Sequence, residues 1–103
     1  MEIQINKTGV GGLTVIAHGR LDLDNAVEYG TQIKETIEDS SEKITELTLD
    51  FMYINFISSF GLKVILELYK TMGDNGTMKI INVPEHIQNS FRMVGFDKFL
   101  EIE

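Results

Sequence analysis

The chain contains no cysteine, one proline and only two histidines in 103 residues. Without cysteine it has no disulfide framework, no thiolate metal site and no thiol nucleophile. His18 and His86 alone give too few ligands for a transition-metal site, so neither a metal nor another cofactor is expected. Bases are scarce as well: nine against 16 acids, for a net charge of −7. Such a surface lacks the basic stripe that nucleic-acid phosphates or an anionic membrane would require, and suits a partner with a basic docking face. No apolar run approaches the roughly 20 residues of a membrane span, and no signal-peptide pattern precedes the first strand-like residues. The expectation is a soluble, cytoplasmic protein, with nothing demanding more than a monomer.

Catalytic motifs are missing too. There is no G-x-S-x-G elbow, and the histidines have no diagnostic spacing toward a serine. Gly9-Val10-Gly11-Gly12 lacks the Lys-Ser/Thr of a P-loop and the strand-to-helix setting of a dinucleotide loop, so it reads as a hairpin turn. The chain is expected not to be an enzyme.

What is present is an ordinary globular composition, 43% hydrophobic and 24% charged, enough for one domain over residues 1–103. Ile3 and Ile5 alternate with polar neighbours, and after the glycine turn Leu13 to Ala17 form a second strand. Asp24 is placed as the N-cap of a helix to about Asp39, with Ala26, Tyr29, Ile33 and Ile37 facing inward and Gly30 allowing close packing on the sheet. Ile44 to Asp50 is a third strand, and Ile54 to Ile57 an apolar approach to Ser58-Ser59. A helix over Phe60 to Met72 follows, then a strand over Met78 to Val83, a helix after Pro84 stopped by Gly95, and a short closing strand. This order predicts an α/β domain with right-handed crossovers: a mixed, largely parallel four- to five-stranded sheet with an N-terminal hairpin and three to four helices, which cover the sheet unequally.

The serine pair is the most informative local feature. A helix start exposes unpaired N–H groups and the positive end of its dipole. A hydroxyl there can cap the helix, or accept a phosphoryl group that those same groups favour. Both readings stand on the residues alone. Val64 and Leu68 lie at the edge of the core stripe on the helix that follows, either docking a partner or packing beneath a neighbouring helix.

The run Leu49-Asp50, then Ile54 through Leu66 with Ser58-Ser59-Phe60-Gly61-Leu62 at its centre, resembles the STAS domain family, including its anti-sigma factor antagonists. Gly19-Arg20-Leu21-Asp22 looks like the family's segment after the second strand, and Phe91, Met93, Val94 and Gly95 like the end of its third helix. The resemblance implies a STAS fold along nearly the whole chain, and places Ser59 as phosphoacceptor, with Ser58 where many members carry aspartate. It further implies that Asp22 lies beside the acceptor turn and helps shape a kinase-docking surface, to which Asp24, Ser58, Phe60, Gly61, Val64 and Leu68 are added. The implied partners are a GHKL-type serine kinase that doubles as anti-sigma factor, and a PP2C-type phosphatase that resets the serine. Phe60 departs from the pattern, standing where a small residue is usual. The other reading kept open is a constitutive scaffold or ligand-binding STAS module in which Ser59 is only a helix cap.

Overall fold

Alternating Ile3 and Ile5 make β1 (Glu2–Lys7), which turns through the glycine segment into the ten-residue β2 (Gly12–Leu21). The computed structural model describes all 103 residues. β1 and β2 pair antiparallel, placing Ile3 opposite Ala17 and Ile5 opposite Val15 on one face. The chain continues through α1 (Leu23–Asp39), β3 (Glu46–Asp50), β4 (Ile54–Ile57), α2 (Ser59–Met72), β5 (Thr77–Ile81), α3 (Glu85–Met93), a short 3-10 turn and β6 (Glu101–Ile102).

The sheet has six strands rather than four or five, because the apolar segment before the serine pair breaks in two. β3 runs parallel to the first half of β2, from Gly12 opposite Glu46 to Ile16 opposite Asp50. Phe51 then turns into the core, Met52 and Tyr53 form an exposed tip, and β4 resumes the same parallel pairing along the second half of β2. The register slips between Gly19 and Arg20, so that Ile54 and Ile57 both face inward. A bulge of this kind adds twist and re-aims the strand that carries it.

The main path is β1-β2-β3-β5-β6, with every pairing after the hairpin parallel. The chain walks across the sheet in one direction, so right-handed crossovers bring all three helices onto one face. Burial follows that rule. Leu13, Val15, Ala17, Leu47, Leu49, Met78 and Ile80 are buried, whereas the alternate residues His18 and Lys79 are exposed and Thr14 and Thr48 half-exposed. The cover is therefore not merely unequal but confined to one side.

α1 and α2 pack closely at Gly30, where an added Cβ would stand 2.8 Å from Val64 Cγ1. Gly30 thus brings α1 against α2, not against the sheet. Lys34 Nζ bridges to Glu67 Oε2 at 3.2 Å along the same contact. α3 closes the far end through Phe91, whose ring lies 6.0 Å from that of Phe51. No helix is long and apolar enough to cross a membrane.

Candidate functional site

The end of β2 and the end of β4 meet at one carbonyl. Leu21 O accepts from both Ser58 N and Ser58 Oγ, each at 3.0 Å. Ser58 Oγ in turn accepts from Gly61 N at 3.0 Å, which is N-cap geometry with extended backbone at Ser58 (φ −88°, ψ 173°). The Ser58 hydroxyl is thereby committed as both donor and acceptor. Ser59, one residue on, is the first residue of α2; it is exposed, and its hydroxyl makes no hydrogen bond within the chain. The cap is therefore Ser58, not Ser59, whose hydroxyl is left unengaged.

Gly61 explains how the turn sits so tightly. A Cβ there would lie 2.7 Å from both Leu21 O and Ile57 Cγ1. Only glycine lets the first turn of α2 press against the strand that anchors Ser58. Gly61 is buried, so its place is under the site rather than in a partner's reach.

The β2–α1 turn lies beside this one, since Asp22 directly follows Leu21. Asp22 Oδ1 accepts from Asn25 N at 3.2 Å and caps α1, while Asn25 Nδ2 donates to Arg20 O at 2.9 Å. The cap is Asp22 and not Asp24, which is exposed in the helix's first turn. Two residues make the difference: Asp22 has the extended backbone of a cap (φ −86°, ψ −168°).

Two further expected contact residues lie inside the protein. Leu68 is fully buried in the core, and Val64 is 6% exposed, held under α1 at Gly30. Val64 belongs to the interhelical contact and Leu68 to the core, so neither side chain stands out on the surface. In their place the surface carries Leu23 and Val27, 59% and 50% exposed, one helical turn apart on α1. Val27 and half-buried Phe60 line a shallow groove of about 110 Å³ between α1 and α2, with Lys34 and Glu67 further along it. Sequence reasoning missed Leu23 and Val27, although both fall off the inward stripe of Ala26, Tyr29, Ile33 and Ile37. An apolar pair at four-residue spacing outside the core stripe was the available signal.

Charge is distributed unequally around these turns. α2 has no acid in its first turn, and Lys63 Nζ leans to 6.0 Å from the Phe60 ring centroid. The histidines are occupied elsewhere: His86 Nε2 lies 2.9 Å from Asn55 O, and His18 stacks on Tyr53 with centroids 4.4 Å apart. Neither hydrogen-bonds to Ser59. No group of three or more His, Cys, Asp or Glu is arranged to hold a metal ion.

Solved structures share this architecture. An anti-sigma factor antagonist from Mycobacterium paratuberculosis superposes with TM-score 0.85 at 20% identity, covering 98% of this chain and 83% of that one. The unphosphorylated form of the anti-sigma factor antagonist SpoIIAA gives 0.76 at 14% identity, over 99% of this chain and 87% of that one. The phosphorylated form of the Bacillus cell fate determinant SpoIIAA gives 0.75 at 16%, over 99% and 91%. At these identities the likeness carries the fold. The sequence adds the family, because residues 4–103 match the STAS domain model. The chain belongs to the STAS domain family.

Proposed function

We propose that this protein is an anti-sigma factor antagonist switched by phosphorylation of Ser59. Its unphosphorylated form docks on a GHKL-type serine kinase that doubles as anti-sigma factor, and so releases a sigma factor. The kinase then modifies Ser59: Oγ attacks the γ-phosphorus of ATP, ADP leaves, and the hydroxyl proton passes to a base on the kinase. The complex separates, and a PP2C-type phosphatase restores the hydroxyl by hydrolysis. The protein acts in the cytoplasm as a monomer and is a regulator, not a catalyst. The observation that carries this reading is the unengaged, exposed Ser59 hydroxyl on the first residue of α2, beside a serine that already supplies the cap. The likeness to SpoIIAA, solved in both unphosphorylated and phosphorylated forms, supports it.

The docking surface we assign is the Ser59 turn with Leu23, Val27 and Phe60, rimmed by Asp22 and Asp24. Leu23 and Val27 are half-exposed aliphatic side chains that a partner can cover with gain. A phosphoryl group adds about −1.5 to −2 charges in the middle of that surface. At the open helix terminus the charge is tolerated, so the fold survives. In a closed interface it must be desolvated next to acids, and a penalty of about 4 kcal/mol weakens binding roughly a thousandfold.

The test is calorimetric titration of the cognate kinase with the wild type, Ser59→Ala and Ser59→Asp proteins. Ser59→Asp is expected to bind far more weakly with an unchanged circular dichroism spectrum, and Ser59→Ala to bind yet gain no phosphoryl mass with ATP. Equal affinity of Ser59→Asp and wild type would overturn the switch and leave a constitutive binding module.

A further inference from the structure

Lys63 lies one helical turn beyond Ser59 on the exposed side of α2, and it has no carboxylate partner. The acid at four-residue spacing on its own helix, Glu67, lies on the less favourable C-terminal side and is held from α1 by Lys34 Nζ at 3.2 Å. Lys63 instead leans back toward the helix start, its ammonium 6.0 Å from the Phe60 ring centroid. A cation near a helix N-terminus is opposed by the dipole. Lys63 is thus a cation with no carboxylate partner at the end of the first turn of α2, on a chain with an excess of acids.

We propose that Lys63 is the internal counter-ion of the phosphorylated form, closing an ion pair with the phosphate on Ser59. This rests on Ser59 being the acceptor. Residues four apart on a helix are neighbours, and an anion on the N-terminal side of a lysine is the more favourable order. The pairing gives Lys63 the partner that the Lys34–Glu67 bridge denies it. It also draws the ammonium off Phe60, so a single phosphoryl transfer alters what two residues present to a docked protein. The partner meets a new anion and at the same time loses a cation. Asp22 and Asp24, across the β2–α1 turn, act in the opposite direction by repelling the phosphate, and they are the same in every variant compared below.

The experiment places phosphoserine at position 59 during translation, so that it does not depend on any kinase. Its second ionisation is then followed by phosphorus NMR titration at low salt, in the otherwise wild type protein and in Lys63→Met, which keeps the alkyl stem. With Lys63 present the dianion should form at a pH lower by roughly 0.2–0.4 unit, the shift expected of a helical ion pair. High salt should shrink the difference. Lys63→Arg should restore it, and Lys34→Ala, by freeing Glu67 to take Lys63, should move the titration part of the way toward that of Lys63→Met. Coincident titrations of the phosphoprotein with and without the Lys63→Met substitution would overturn the proposal, and a role of Lys63 in packing alone would move none of these curves. Failure of the kinase to modify Ser59 in a separate assay would count against the switch itself and leave this titration readable.

Discussion

The two helix starts that meet at Leu21 solve the same problem with different chemistry. α1 is capped by a carboxylate, Asp22, and has a second acid, Asp24, in its first turn. α2 is capped by a neutral hydroxyl, Ser58, and has no acid in its first turn. Both satisfy an orphan N–H three residues on: Asn25 N in one case, Gly61 N in the other. At α1, however, the positive end of the dipole already faces permanent negative charge. At α2 it is left open, with an unbonded hydroxyl as the first helical residue. α1 thus begins with its dipole met by fixed charge, whereas α2 begins with a cap that is present but uncharged, which is the condition the proposed switch at Ser59 requires.

The two helix starts differ most at the residue three beyond each cap. α2 is pressed onto Leu21, and a Cβ on Gly61 would overlap both a backbone oxygen and Ile57. Gly61→Ala is expected to cost about 3 kcal/mol as overpacking against a fixed strand. That lowers the melting temperature by on the order of 10–20 °C in a domain of this size. Asn25→Ala, at the matching place in α1, removes one exposed hydrogen bond and should cost about 1 kcal/mol or less. Differential scanning calorimetry of the two variants reads this directly. Similar losses would mean that α2 is not seated more closely than α1.

The caps themselves come next in size. Ser58→Ala orphans Gly61 N and should cost about 1–2 kcal/mol, and Asp22→Ala about 1 kcal/mol for the same reason at α1. Ser59→Ala touches no hydrogen bond and should stay within about 0.5 kcal/mol of the wild type. Urea denaturation of the three variants would separate the serines. If Ser59→Ala were the more damaging of the two, Ser59 would be a structural residue after all.

Much of this was legible in the residues. Period-two alternation at Ile3 and Ile5, the helical stripe through Tyr29 and Ile33, and the turn at Ser58-Ser59 each follow from local spacing. What could not be read depends on contacts far apart in sequence. Both serines are chemically fit to cap α2, and the choice is made by Leu21 O, 37 residues away from Ser58. The split of β3 from β4 is set by β2, which is long enough to pair with both, and by Phe51 turning into the core against Phe91. Val64 and Leu68 sit in an apolar arc wide enough to suggest either surface or core. The close approach of α1 at Gly30 decides that Val64 is buried, and Leu68 falls within the core. Asp22 and Asp24 are two residues apart, a difference that a spacing argument for a cap does not resolve.

The smallest expected effect is also the most direct test of the open terminus. Ser59→Glu and Leu23→Glu each put one carboxylate on the first residue of a helix, α2 and α1 respectively, and both positions are exposed. At α2 the new charge meets an uncompensated dipole and the free Lys63, so it should stabilise the fold by about 0.5 kcal/mol at low salt. At α1 the dipole is already shared by Asp22 and Asp24, and a third acid there gains little while repelling its neighbours, so the change should be close to zero or slightly unfavourable. High salt should bring the two variants together, because both terms are screened. Chemical denaturation of both proteins at low and high salt is sufficient. A stabilisation of equal size at both helices would show that Asp22 and Asp24 leave the α1 dipole unsatisfied, and the distinction between a filled and an open helix start would be lost.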